Sequence, residues 1–577
     1  MATLGGTACL RRDIIGKNKT ITDVGPLIAQ RGDIVCVGNG SSVSGPLGIA
    51  IGFQSSVSNT SDRSIVIGSN VVITGSSPDV IFIGNSPTGT LNAVGASVIL
   101  GSNHVFGVTS TLSACVMIGQ VLDTTGVHSA NVLLGQNIVV QGDGSSCVAL
   151  GQSHTIGASV DGATLSGQGV QVRAGSSGAT GIGQSIVIDA SSNASTAIGA
   201  NIYVGLISPG TVAVGQGIDL GGGEFAVGNS INSVAIGQSL TSGQNNQYTI
   251  LLGSNNTIGV GLYADPAFEP TRLFVIGSEN TIANNVTKTT VLGSNNSVGL
   301  ASFDLISIGD TNTIGNTTDH IVMIGQDLGA QLNVNNSVIV GNTITVPDEG
   351  VGIFIGQGPY TIGNNPTNVI MIGYQLTSIF SADLAVNIGN INTVREYGVV
   401  IGCSSLAYNS AVAIGNGATV SQERGVGVGP STVVTGIDGI AIGTSASSTL
   451  EGIAIGVNAV AMNQSVAIGL DAVTLGAGSI NAIAIGTGTS ANGLSAIAIG
   501  NGASAITKTC VIGGVLVNTS IHLFQVCSDV TSGAYFEAFD TPTVAQVGLR
   551  LIDSTGIIQQ VSAAAVPPVG ARLLYLP

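Results

Sequence analysis

Two pairs of acidic residues come nearest to a catalytic arrangement in this chain: Asp304 with Asp310, and Asp348 with Glu349. Paired carboxylates are what a glycoside hydrolase uses, one as general acid and the other as nucleophile or base. The surrounding body lacks aromatic sugar platforms, and its repeats are shorter than the turns that polysaccharide-cutting spikes usually carry, so an enzyme is not expected. Cys9, Cys36, Cys115, Cys147, Cys403, Cys510 and Cys527 are widely spaced with no pairing pattern, which implies neither a disulfide framework nor a zinc site. Cys115 and Cys147 fall in apolar bursts, where a thiol behaves as a small hydrophobe. The five His lack metal spacing, although a His on a three-fold axis would meet two copies of itself. No cofactor or metal is expected. Arg31-Gly32-Asp33 matches an integrin-binding tripeptide, short enough to arise by chance, and Asn18, Asn59 and Asn255 begin Asn-x-Ser/Thr triplets that Asn- and Ser-rich turns generate automatically.

The organisation around these residues is a repeat. Residues 399–420, VVIGCSSLAYNSAVAIGNGATV, state one phrase twice: an apolar run closing on Ile-Gly, then a polar stretch. The closing glycine recurs through most of the chain, Gly68, Gly84, Gly253, Gly293, Gly415, Gly443 and Gly469 among its copies, at a spacing mostly of 16 up to Gly389 and of 13 or 14 beyond. Such a period marks a repeat architecture. Each run is too short for a helix, and its Val and Ile suit a pleated strand. A glycine once per turn supplies the corner conformation closed to other residues, with Asn and Ser helping nearby, as in GSNNTIG at 253–259.

One repeat is then one turn of an all-β solenoid, about 14–16 residues long. Within AVAIG, Val412 and Ile414 share one side, Ala411 and Ala413 the other, and the larger residues are expected inside. Outward Ala and Ser would let a second coil approach closely, so a homotrimer about one axis is expected. At about 4.8 Å per turn, roughly 31 turns would make a rod of about 150 Å.

Composition agrees. With 86 Gly in 577 residues, 8% charged residues and no Trp, the chain does not read as an ordinary globular enzyme. Its apolar bursts are broken too often for a membrane span of about 18 residues, and its start has no apolar core of the kind a secretory signal carries. Neither membrane insertion nor nucleic-acid binding is expected of a chain with net charge -16. Four segments follow: an N-terminal attachment segment (1–35), a roll of 16-residue repeats (36–398), a roll of 13–14-residue repeats (399–515), and a C-terminal β-rich cap (516–577).

Residues 411–469, AVAIGNGATVSQERGVGVGPSTVVTGIDGIAIGTSASSTLEGIAIGVNAVAMNQSVAIG, resemble the head repeats of trimeric autotransporter adhesins, YadA-like heads in which an AIG phrase recurs about every 14 residues. The resemblance is specific over 399–513 and looser over 36–398. It implies a left-handed parallel β-roll, a homotrimeric fibre and a role in surface adhesion. The signal peptide, heptad stalk and C-terminal membrane barrel of those adhesins have no counterpart here. The same roll serves in fibres of phages and large DNA viruses, which are assembled in a host cytoplasm. A virion-surface fibre or spike is therefore expected, with a capsid or tail/baseplate protein at one end and a host receptor or glycan at the other.

The ends should carry the specific contacts. Arg11, Arg12, Lys17, Lys19 and Arg31 are five of only 14 basic residues and are candidates for docking on an acidic particle. Phe524, Tyr535, Phe536, Phe539 and Tyr575 gather near the C-terminus, the first four being receptor-binding candidates. Tyr263 and Phe268 join them, from an insertion at 260–272 that breaks the period. Two rival functions remain: a tailspike-like polysaccharide-degrading enzyme, and an ice-binding solenoid. The latter needs Thr-x-Thr on successive turns, whereas Thr looks irregular here.

Overall fold

Each short run of alternating Val, Ile and Ala becomes one rung of a parallel sheet. The computed structural model describes residues 35–512 apart from 39, 45–46, 59–60, 75, 89–90, 93–94, 108–110, 222–230, 261–270, 365, 380–382 and 477. Outside that range it describes the strands Thr20–Ile21, Leu523–Gln525, Tyr535–Ala538, Val547–Gly548, Leu551–Ile552 and Ile558–Gln559. The described residues are all-β, without helix. They fall into two units, Met1–Asn312 and Thr313–Pro577, and each is a parallel β-solenoid.

In the second unit the strand Val412–Asn416 lies beside the equivalent strands of its neighbouring turns. Val412 is opposite Val399 and Val426, and Ala413 is opposite Val400 and Gly427. A second, two-residue strand closes each turn, Thr419–Val420 lying opposite Val433–Val434. In the first unit the two strands of a turn merge in places. Thr196–Val204 pairs along its length with Val212–Leu220, Gly199 meeting Gly215 on the way. Like always stacks on like, so the register follows from the repeat itself.

The structure reverses the expected sides of the AVAIG alternation. Ala411 and Ala413 are fully buried, while Val412 and Ile414 are only partly covered. The cause is cross-section: a turn of 13 or 14 residues leaves little room between its facing strands, filled mostly by Ala and here and there by a Val such as Val400. Ala441, Ala454, Ala467, Ala484 and Ala498 occupy the same inward position. At Gly427 an added Cβ would lie 2.9 Å from Val420 Cγ2. Where the glycine spacing is wider, larger groups fit inside, and Phe82, Ile99, Met117, Leu133 and Phe354 are fully buried. A buried methyl contributes about 0.8 kcal/mol against about 1.5–3 kcal/mol for a Leu or Phe side chain. The tight turns therefore have a thin core and depend more on backbone pairing.

The closing glycines form a column, one above the next. Gly253 has φ +119° and Gly415 φ +146°, both in the region that favours glycine. Space forbids a side chain as firmly as conformation does. A Cβ on Gly253 would fall on the carbonyl oxygen of Gly277, and one on Gly415 on that of Gly429. Gly68, Gly84, Gly293, Gly443 and Gly469 stack against Gly84, Gly101, Gly309, Gly456 and Gly486 in the same way.

Three residues beyond each glycine sits a group that plugs the corner from within. The Asn256 amide donates to the Gly277 carbonyl at 2.8 Å, Asn280 to Gly293 at 2.7 Å and Asn296 to Gly309 at 2.9 Å. The same amides join one another, Asn280 Nδ2 donating to Asn256 Oδ1 and Asn296 Nδ2 to Asn280 Oδ1, both at 2.9 Å. Ser41, Ser55 and Ser405 make the equivalent bond with a hydroxyl. These Asn and Ser are buried, while the residues just before them, Asn255, Asn295 and Ser404, hold the left-handed corners with φ +52° to +54°. The bonds of the buried set satisfy carbonyls that would otherwise face inward unpaired.

Beyond Cys510–Ile512 the pairing changes from parallel to antiparallel. Cys510 lies opposite Phe524, Phe524 opposite Phe536, and Ala538 opposite Val547.

Candidate functional site

Because the small residues point inward, the large ones are presented outward. In the second unit one column runs through Val412, Val426, Ile440 and Ile453, and beside it another through Ile414, Val428, Ile442 and Ile455. The first unit shows the same pattern, Ile65, Ile81 and Val98 beside Ile67, Ile83 and Leu100. Ile83 is 41% exposed, Ile118 39%, Ile401 38% and Ile442 37%, values far above those of core residues. Each turn adds about 4.8 Å to a strip about 10 Å wide, so ten turns present roughly 500 Å² of apolar surface. That is as large as the biggest patch on a typical monomer, and such patches mark interaction sites. Covering it would be worth roughly 12 kcal/mol at about 25 cal/mol per Å², before the costs of association.

Several ion pairs stand at the corners. Arg424 Nε and Nη2 donate to Asp438 Oδ1 and Oδ2 at 2.6 and 2.8 Å on consecutive turns, and this guanidinium holds the Asp438 carboxyl below its ordinary range. Arg63 pairs similarly with Asp79. Exposed pairs of this kind contribute little to stability, but they line an apolar face with a polar rim, the usual anatomy of an interface. Just after the strand Thr180–Ile188 the nearly buried Asp189 accepts hydrogen bonds from Arg173 and from the Tyr203 hydroxyl, and burial pushes the Tyr203 phenol well up.

The carboxylate pairs are not brought together as a hydrolase requires. Asp304 and Asp310 lie on one strand, Phe303–Asp310. Asp304 stands at a corner with φ +54° and Asp310 beyond the corner glycine Gly309, and the extended stretch 305–308 between them alone spans about 13 Å, against about 5–9.5 Å between the carboxyls of glycosidases. Asp310 accepts the Ser294 hydroxyl at 2.6 Å. Asp348 accepts the Leu332 N–H at 3.0 Å, and its neighbour Glu349 holds a corner with φ +58°. Among the described residues no cluster of three or more His, Cys, Asp or Glu could hold a metal ion. Cys115 and Cys147 are buried, with thiols pushed up by burial.

Threonine is more regular than its sequence pattern suggests. Thr241, Thr257, Thr281 and Ser297 stand opposite one another in a single column. The sequence reading of irregular Thr is corrected here, since the extra residues of the 260–272 insertion shift the numbering without shifting the register. The position two residues on is Gly259 or Ala283, so the column is single and makes no Thr-x-Thr array.

Of the receptor-binding candidates, Phe524, Tyr535 and Phe536 lie on the antiparallel strands after the solenoid, Gln525 opposite Tyr535 and Phe524 opposite Phe536. Phe539, Tyr575, Tyr263 and Phe268 lie outside the described residues, as do the docking candidates Arg11, Arg12, Lys17, Lys19 and Arg31. The outward apolar columns are the feature that sequence reasoning placed on the wrong side. A usable signal was present, since the interior of a turn this short must take the smaller set.

Two copies of the YadA head domain repeat match residues 477–503. The matched stretch contains the strands Ile483–Ile485, Ser490–Asn492 and Ile497–Ile499 and most of a core cluster formed by Ala482, Ala484, Ala491, Ala496, Ala498, Ala503, Ala505 and Val511. No curated protein matches the chain. In these tight turns the chain is similar to the YadA head, both by repeat sequence and by its parallel β-solenoid fold.

Proposed function

We propose that this chain is a homotrimeric adhesin-type fibre whose turns pack against two further copies through their outward apolar columns. The observation that carries the reading is the pair of in-register Val and Ile columns left uncovered along the main sheet. The similarity of residues 477–503 to the YadA head repeat supports it. Three copies about one axis would bury all three faces at once, which a single solenoid cannot do. In this reading the fibre presents and reaches, without catalysis. It stands on the surface of a virion or phage tail after assembly in a host cytoplasm. A capsid or baseplate protein anchors one end, by preference the basic N-terminal segment, and the other end meets a host receptor or glycan.

Mass by light scattering of the full-length chain tests the assembly, with Ile442→Lys combined with Ile455→Lys as the perturbation. Wild type is expected at three chain masses. The variant should fall to one while keeping its β-sheet circular dichroism, because two outward lysines leave the core untouched. A monomeric wild type, or a variant that assembles unchanged, overturns the reading. Gold labelling of intact particles with antibody against residues 399–512 tests the location.

A further inference from the structure

Three of the five His lie inside the first unit within a few turns of one another. His104, His128 and His154 are at most 1% exposed, while His320 is exposed beside Asp319 and His522 lies outside the described residues. His104 and His154 each stand three residues beyond a closing glycine, the corner that Asn256, Asn280 and Asn296 plug elsewhere. Their bonding differs from that of the amides. His104 Nδ1 accepts the Leu122 N–H and His154 Nδ1 accepts the Val170 N–H, each at 3.3 Å and each across to a later turn. The His154 Nε2–H donates to the Leu150 carbonyl at 3.0 Å. His128 Nε2 pairs with the Thr125 carbonyl at 3.1 Å. A ring nitrogen that accepts a backbone N–H must be unprotonated, so His104 and His154 are neutral in this packing.

We propose that residues 98–172 are an acid-labile section of the solenoid, opened when His104 and His128 take up protons. A second proton at Nδ1 would set two hydrogens face to face and break the bond that ties one turn to a later one. It would also leave a cation without a counter-ion among buried apolar groups, His104 lying between the rings of Phe82 and Phe106. The bonds of all three rings are to backbone, none to a carboxylate.

Burial pushes His104 and His128 below the ordinary histidine value, with smaller opposing influences from the Leu100 carbonyl on His104 and from the Thr125 and Gly144 carbonyls and Asp143 on His128. A depressed folded value means that the neutral rings add stability above the unfolded value of 6.5, and that this is lost as pH falls from there through the folded value. The other ionisable groups on these turns do not produce the same effect. Asp123, opposite Val105, is pushed up by burial, so acid relieves it instead. Asp143 and Asp161 accept the Val127 and Ser145 N–H groups at the exposed corners. Arg173 is paired with Asp189, and Cys115 and Cys147 are shifted away from acid pH.

Hydrogen exchange of the full chain, followed by mass spectrometry at pH 7.5, 6.0 and 5.0 and corrected for intrinsic rates, tests this. Peptides within 98–172 should lose protection severalfold at pH 5.0 relative to pH 7.5. Peptides within 273–312, where Asn plugs the corners, should not. The variant His104→Asn should shrink the acid step to what His128 leaves. Equal acid sensitivity in the two regions, or a variant with the full step, overturns the proposal. Should the variant fail to fold at pH 7.5, the wild-type series alone decides.

Discussion

Replacing Asn280 with Ala removes the middle amide of the buried corner ladder. Four hydrogen bonds go with it. Nδ2 donates to the Gly293 carbonyl at 2.7 Å and to Asn256 Oδ1 at 2.9 Å, while Oδ1 accepts from the Asn296 backbone at 3.0 Å and from Asn296 Nδ2 at 2.9 Å. Asn256 Oδ1 also loses one of its partners. The Gly293 carbonyl and the buried Asn296 N–H lose these partners, each at about 1–3 kcal/mol, so a local loss of about 2–6 kcal/mol is expected. In a solenoid each turn contacts chiefly its neighbours, so the damage should stay near the site, and a global melting temperature would dilute it. The suitable assay is hydrogen exchange on peptides spanning 273–298, against peptides in 335–357 as an internal reference. Exchange in the first set should accelerate roughly 30- to 20,000-fold, at about 1.4 kcal/mol per decade. Asn295→Gly is the matched control: Asn295 is an exposed corner residue with φ +54°, a conformation that glycine adopts freely. Exchange in Asn280→Ala that is indistinguishable from this control would refute the claim that the ladder secures the corners.

Two further outcomes are expected. Ile391 is 53% exposed with φ +53°, where a β-branched residue is strained by about 1–2 kcal/mol. Ile391→Asn should therefore slow local exchange around 386–394 by several-fold, and no gain there would count against strain at that corner. Ala454, fully buried in a tight turn, has no space to grow. Ala454→Leu should destabilise its turn by about 1–3 kcal/mol or more, read as new proteolytic cleavage within 440–468, although the same change adds apolar surface.

The period, the strands and the corner glycines were legible because each is written once per turn and repeated. Alternation in AVAIG identified two sides correctly but could not say which faced inward. That depends on the cross-section of the turn, a property of two strands together and not of either alone. The corner role of Asn was legible at Asn255 and Asn295, but the inward ladder of Asn256, Asn280 and Asn296 was not. Asn is common at exposed corners, and only alignment on the preceding glycine shows that its amide, a Ser hydroxyl and a His ring occupy one inward place. The Thr241 to Ser297 column was hidden by the insertion at 260–272, which breaks sequence spacing without breaking spatial register. Asp304 and Asp310 looked close in number, yet an extended chain carries them far apart.

The stacking of like on like also bears on how such a chain changes over generations. Thr196–Val204 meets the same kinds of partner above and below, Thr180–Ile188 on one side and Val212–Leu220 on the other. Excising residues 196–211 whole would bring Thr180 opposite Val212 and Gly183 opposite Gly215, restoring the glycine column and the ladder, with Val187 opposite Asp219 as the one unlike pair. Gain or loss of one repeat is thus structurally silent, whereas gain or loss of one residue inside a turn displaces the glycine column and its inner plug. Length in this architecture is inherited in whole steps of about 4.8 Å, so unequal recombination between neighbouring repeats could tune its reach without a poorly folded intermediate.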